Sequence, residues 1–148
     1  MKNKITSFED LKCWQSCRVV RNYVSGIIKK FPDYEKYALS DGMRRASRSI
    51  TENIAEGFGR YHFGENIQFC RISRGSLHEL IDQLITASDE QYISKEEFSK
   101  ARELINSAMA LLNGYINYLK KAKSNSKSKK TYILKEDIAI YNTQADNK

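Results

Sequence analysis

The chain has 148 residues and a net charge of +7, with one proline, seven glycines and three cysteines. This length fits a single domain that folds without disulfides or metal ions, and so few helix-breaking residues favour long helices over a β-sandwich. The odd, sparse set of cysteines excludes a disulfide framework. With no run of 18 apolar residues and no apolar core of a signal peptide near the N-terminus, a cytoplasmic protein is expected.

Apolar residues recur at steps of three and four after the N-terminal segment, which indicates one face of an α-helix. The pattern predicts a first helix from about Asp10 to Lys30. Cys13 and Cys17 lie one helical turn apart on its apolar face, so both are expected to be core residues. Pro32 ends this element, because proline disfavours helical backbone at the residue before it.

A second helix is predicted to begin at Leu39 or Ser40. Asn53 falls on its core face, where a polar side chain fixes helix register through a buried hydrogen bond. Gly57 and Gly59 allow positive φ at low steric cost, and they are predicted to end the helix.

Three basic residues of this helix, Arg44, Arg45 and Arg48, form what we call the arginine cluster. Two interpretations stay open for it. The cluster is either a solvated or intersubunit ion-pairing face, which is what most charged runs are, or a surface that contacts phosphate.

The stretch from Arg60 through Tyr61 and His62 to Phe63 combines a cation with aromatic rings, as in proteins that bind single-stranded nucleic acid. Hydrophobic packing at the start of the next helix is the alternative, and it is favoured.

A third helix is predicted from around Gly64 to about Glu90. Gly75 lies in its middle, where glycine costs about 1 kcal/mol relative to alanine. That cost predicts a close approach of another backbone at Gly75.

The fourth helix has the clearest start, because Ser94 and Glu97 have the spacing of a capping box. Its apolar stripe continues to Leu119. The segment KKAKSNSKSKK that follows has too little apolar surface to order itself and predicts a flexible linker. We therefore expect a bundle domain over residues 1–122 and a flexible Lys/Ser-rich tail over residues 123–148.

Most of the excess positive charge lies in this last part of the chain. Residues 1–119 carry 17 basic and 15 acidic side chains, whereas residues 120–148 carry 8 lysines and 3 acids. Within the tail, the segment from Thr131 to Tyr141 is apolar enough to dock on a neighbour as a short strand or helix.

Four helices joined by short connections predict an all-α, up-down-up-down antiparallel four-helix bundle. The sequence predicts no enzyme, because it has no Gly-rich phosphate loop before a lysine and no nucleophile elbow. His62 and His78 lack cysteines or carboxylates at ligand spacing, so no metal ion, cofactor or small-molecule substrate is expected.

Short motifs are spread over residues 8 to 120: Phe8-x-Asp10-Leu11-Lys12 with Trp14, Phe31-Pro32, Arg44-Arg45-Ala46, Ser49-Ile50, Asn53-Ile54-Ala55-Glu56-Gly57 with Gly59-Arg60, and Gly75-Ser76-Leu77-x-Glu79-Leu80. Together they resemble the 23S rRNA-intervening sequence proteins of bacteria, also called four helix bundle proteins. The run from Asn53 to Arg60 is the most specific part. The sequence departs from the family pattern at Gly42, Arg48 and Thr51, which makes the second helix more polar and more basic.

The resemblance implies a four-helix bundle assembled as a ring-shaped homopentamer. Proteins of this family are encoded within insertions in large-subunit rRNA genes, and one relative is an accessory protein of diversity-generating retroelements that binds reverse transcriptase and nucleic acid. For this chain the resemblance implies structural roles for the motif residues Asn53, Glu56, Gly57, Gly59 and Gly75.

Two function hypotheses remain. In the favoured one, an oligomeric bundle binds RNA or DNA phosphates through a basic surface made of Arg44, Arg45, Arg48, Arg60, Lys120, Lys121, Lys123, Lys127, Lys129 and Lys130. In the alternative, the protein is an adaptor that presents its surface to a protein such as a reverse transcriptase, without contacting nucleic acid.

Overall fold

The computed structural model describes residues 5–129, with side chains described as far as Lys127. Four α-helices follow one another: α1 (Lys12–Ile28), α2 (Leu39–Gly59), α3 (Phe63–Asp89) and α4 (Lys95–Lys129). Short 3-10 helices at Phe8–Asp10 and Asp33–Glu35 precede α1 and α2. This part of the chain contains no strand, which confirms the all-α prediction.

The four helices pack as a closed set of neighbours. Helix α1 packs beside α2 and α4, and α3 packs beside the same two helices, so that α1 and α3 are diagonal neighbours. Since the connections are short, successive helices run in opposite directions, which is the arrangement of a four-helix bundle. None of the described helices is both long enough and apolar enough to span a bilayer.

The core contains three free cysteines, Cys13, Cys17 and Cys70, all fully buried. Burial raises the pKa of the Cys17 and Cys70 thiols to about 12, and it raises that of Cys13 as well. The prediction that Cys13 and Cys17 are core residues is confirmed.

The start of α4 is also confirmed. The Glu97 N–H donates to Ser94 Oγ at 3.1 Å, and the Ser94 N–H donates to Glu97 Oε1 at 3.1 Å. These two bonds satisfy backbone donors that an uncapped helix leaves open.

Helix α2 ends at Gly59, as predicted, but the predicted role of Gly57 differs. Gly57 lies inside the helix, and the positive φ of the connection belongs to Tyr61, at 52°. A Cβ atom on Gly57 would lie 2.9 Å from Asn66 Oδ1 and from Phe69 Cβ. Gly57 therefore allows α2 and α3 to approach closely instead of ending the helix.

Gly75 does not have the predicted role within the chain. It is exposed on α3, and a Cβ atom there would have no neighbour within 4 Å. The close backbone approach expected at Gly75 occurs at Gly57.

Asn53 is half-buried and bonds within its own helix, because its amide donates to Ser49 O at 2.8 Å and to Ser49 Oγ at 2.9 Å. The prediction of a buried register-fixing bond at Asn53 is wrong. A buried bond of this kind joins Asn66 Nδ2 to Tyr115 Oη at 3.0 Å, between α3 and α4.

Helix α4 continues well past Leu119, as far as Lys129, the last described residue. Ala122 packs against the core, and the Ser126 hydroxyl donates to Lys123 O at 2.9 Å. The expected flexible linker is thus helical over its first residues, and the predicted domain end at residue 122 falls inside α4. Lys130 and the segment Thr131 to Tyr141 lie outside the described residues.

Candidate nucleic-acid interface

Four cations converge on one groove between the first half of α3 and the last turns of α4. Arg71 comes from α3, and Lys120, Lys123 and Lys127 come from α4. The groove has a volume of about 280 Å³, and its remaining lining is contributed by Gly64, Ile67 and Ser124. We call these seven residues the basic groove.

Helical spacing explains why the cations share a surface. Lys120, Lys123 and Lys127 follow at steps of three and four, so they lie on one face of α4. Ile67 and Arg71 are four apart on α3 and also share a face. The basic groove therefore exists only because α4 stays helical beyond its predicted end.

Two polar contacts between α3 and α4 set the antiparallel register that brings these faces together. Arg74 Nη1 donates to Asn113 Oδ1 at 3.0 Å, and Asn66 Nδ2 forms the buried bond with Tyr115 Oη. Because α4 runs opposite to α3, the residues that follow Tyr115 lie beside the start of α3. Lys120 and Lys123 therefore lie near Gly64 and Ile67, and the Arg71 side chain lines the same groove.

The basic groove has an unbalanced positive charge. No carboxylate lines it, and none of its four cations forms an ion pair with a described residue. Arg71, Lys120 and Lys127 are exposed, and Lys123 is half-buried. Like charges held this close repel one another, so an anion in the groove would relieve that repulsion.

Gly64 keeps the end of the groove open. A Cβ atom on this residue would lie 3.2 Å from Lys123 Nζ and 3.3 Å from His62 Cε1. The ammonium and the imidazole therefore border the same small volume, beside the connection between α2 and α3.

The arginine cluster of α2 is arranged differently. Arg45 Nε lies 3.1 Å from Asp41 Oδ2, and Arg44 Nη1 lies 4.0 Å from Asp41 Oδ1. Arg48 is exposed and forms no ion pair with a described residue. Two of the three guanidiniums thus have a carboxylate partner in their own helix, which reduces the charge available to phosphate.

The other predicted basic residues lie apart from both surfaces or outside the described side chains. The Arg60 guanidinium bonds to Glu56 Oε1 at 2.9 Å and lies over the Phe69 ring, 5.2 Å from its centroid. Lys121 is exposed but does not line the groove. The Lys129 side chain lies outside the described part, as does Lys130.

Arg71 is the one cation of the basic groove that the sequence patterns did not predict. Other arginines form hydrogen bonds within the bundle. Arg21 donates to Thr51 Oγ1 at 3.0 Å, and Arg74 donates to Asn113. The available signal was the spacing of Lys120, Lys123 and Lys127, which gives a basic face as soon as the segment is helical. Identifying Arg71 further requires the α3–α4 register, which no local pattern encodes.

Within residues 5–129, no group of three His, Cys, Asp or Glu side chains is placed to hold a metal ion.

A family model described as 23S rRNA-intervening sequence protein matches residues 9–114. The match includes Arg71 and ends before the three groove lysines. No curated protein matches the chain significantly.

Proposed function

The chain belongs to the 23S rRNA-intervening sequence protein family, and from this premise and its surface charge we propose that it is a non-enzymatic helical-bundle protein that binds nucleic acid through the basic groove. The observation that supports this proposal is the convergence of Arg71, Lys120, Lys123 and Lys127, without a carboxylate partner, on one groove. Cations placed in this way suit the phosphates of a polyanion.

The basic groove is better suited to phosphate than the arginine cluster. Its cations have no local acid to displace, whereas Arg44 and Arg45 would have to leave Asp41 before contacting a phosphate. Phosphate contacts carry little sequence information, so binding should depend strongly on salt and weakly on base sequence.

A salt titration tests the proposal. The parent protein, the Arg71→Gln/Lys123→Gln variant and the matched Arg44→Gln/Arg45→Gln variant are titrated with a labelled RNA at several salt concentrations. Each lost contact to a single strand should flatten the log-log salt slope by about 0.7. The groove variant should therefore lose affinity and flatten the slope by about 1.4, while the α2 variant stays close to the parent.

The opposite ranking of the two variants would place binding on the arginine cluster. A parent protein that binds no RNA at low salt would contradict the proposal. The second candidate, an adaptor that contacts a protein such as a reverse transcriptase, would then take its place, with the arginines pairing with the partner's carboxylates.

We also propose that the chain assembles as a closed homo-oligomer, with the five subunits that the family resemblance implies. Val19 on α1 and Ile72 and Ile85 on α3 are 50%, 43% and 44% exposed. Since α1 and α3 are diagonal in the bundle, these apolar side chains belong to two separate surfaces, as the head-to-tail contacts of a ring require. Gly75 on α3 leaves room for a close neighbour.

Light scattering on the purified full chain tests the assembly. We expect a single species about five times the mass of the 17.1 kDa chain. A species that remains monomeric at high concentration would contradict the ring.

A further inference from the structure

The connection between α2 and α3 places an aromatic ring where the backbone is least suited to one. Tyr61 has a φ of 52°, in the left-handed region that favours glycine or asparagine. Backbone strain of this kind on a bulky residue is often kept at functional positions. Replacement by glycine would remove the strain, so the ring of Tyr61 is retained at a cost.

The Tyr61 ring is available to a ligand. The residue is 54% exposed, and its ring lies on one side against Phe58, with the centroids 6.2 Å apart and the planes tilted by 56°. The Phe58 ring thus supports the Tyr61 ring on one side, while much of the Tyr61 surface faces solvent. A flat, supported and exposed ring is the kind of platform on which nucleobases stack.

The same connection leads directly into the basic groove. His62 follows Tyr61, and its Nδ1 accepts a hydrogen bond from the Glu65 N–H at 3.3 Å, which holds the imidazole at the start of α3. His62 Cε1 and Lys123 Nζ both lie next to Gly64, the glycine that lines the groove. The connection that carries Tyr61 and the cations of the basic groove therefore lie at the same end of the bundle.

We propose that this end of the bundle is a site for single-stranded nucleic acid, in which phosphates lie in the basic groove and an unpaired base stacks on Tyr61. The proposal rests on the proposed function and adds the class of ligand. In a duplex the bases already stack inside the helix and cannot reach the ring, whereas a single strand offers its base faces freely. The cations then hold the backbone, and the ring selects the unpaired strand.

Fluorescence anisotropy with the full chain tests this. The probes are labelled single strands of about twelve nucleotides, in RNA and in DNA, and the same sequence as a duplex. The parent should bind both single strands with similar affinity, because neither stacking nor phosphate contact reads the 2′-hydroxyl. It should bind the duplex at least about tenfold more weakly at the same salt concentration.

Substitutions at Tyr61 separate stacking from charge. Tyr61→Ala should weaken single-strand binding by roughly fivefold to a hundredfold without changing the salt slope, because it removes a ring and no charge. Tyr61→Phe should retain binding. Tyr37, which is 86% exposed at the opposite end of the bundle, supplies the control, and Tyr37→Ala should bind like the parent.

The Tyr61→Gly variant tests whether a loss of affinity at this position results from misfolding. Glycine suits the left-handed backbone, so this variant should have a melting temperature at or above that of the parent and still lose single-strand affinity. Equal affinity of Tyr61→Ala and the parent, or equal binding of duplex and single strand, would overturn this inference and leave groove binding intact. Failure of the parent to bind any probe would instead overturn the proposed function.

Discussion

The two ends of the bundle use charged side chains in opposite ways. Where α1 connects to α2 and α3 to α4, the polar groups bond to one another. Tyr92 Oη donates to Glu35 Oε1 at 3.0 Å and shares a 2.9 Å hydrogen bond with Tyr34 Oη, and Lys30 forms an ion pair with Glu97. At the other end, the four cations of the basic groove have no ion-pair partners among the described residues, whereas Arg60 nearby pairs with Glu56.

This difference shows that a count of charges does not locate a binding surface. Exposed charges that lie near a carboxylate in their own structure contribute a little stability and offer little to a ligand. Arg44 and Arg45 of the arginine cluster are charges of this kind, because Asp41 lies three and four residues before them. The groove cations are unusual because the fold brings them together and leaves them unneutralised.

Charge reversal at one end of the bundle and then at the other should give the largest change in RNA affinity. The Arg71→Glu/Lys123→Glu variant alters the groove, and Lys29→Glu/Lys95→Glu makes the same change in net charge at the other end, on exposed lysines. At low salt the groove variant should lose RNA affinity by about a hundredfold and the control by less than about threefold, since only the first places acids against bound phosphates. Anisotropy titrations measure both.

Equal losses in the two variants would mean that RNA responds only to net charge, and the comparison between the ends would then fail. Light scattering provides the control, because affinities can be compared only between variants that share the parent's oligomeric state.

Much of the fold follows from local patterns. The apolar stripes predicted the four helices and the burial of Cys13 and Cys17. The spacing of Ser94 and Glu97 predicted the start of α4. These features depend on residues within one or two helical turns of each other, so the sequence displays them directly.

The predictions that were wrong depend on contacts between helices. Composition suggested a flexible segment after Leu119, but Ala122 packs on the core and α4 stays helical. Gly57 was predicted to end α2 because glycine often follows the last turn of a helix. Its actual role is a close contact with Phe69 of α3, which depends on a second helix. The candidate site was only partly predictable for the same reason, since Arg71 joins the lysines through the α3–α4 register.

A smaller effect is expected at the end where charges are already paired. Lys30 donates to Glu97 Oε2, and the Ser94 N–H donates to Oε1 at 3.1 Å, so these bonds hold the pKa of Glu97 below its ordinary value. A carboxyl group with a lowered folded-state pKa stabilises the fold above its unfolded pKa of about 4.3, and this stabilisation is lost as pH falls through the folded value.

Glu97→Gln should therefore lower the free energy of unfolding by about 1 kcal/mol near pH 7, in urea titrations, and the difference from the parent should shrink as pH falls below about 4.3. Glu96→Gln is the matched control, because Glu96 lies in the same first turn of α4 and is exposed. It should cost only a few tenths of a kcal/mol through the helix dipole. Equal losses in both variants would attribute the effect to the dipole alone. Neither variant should alter RNA affinity, because both substitutions lie at the end of the bundle opposite the basic groove.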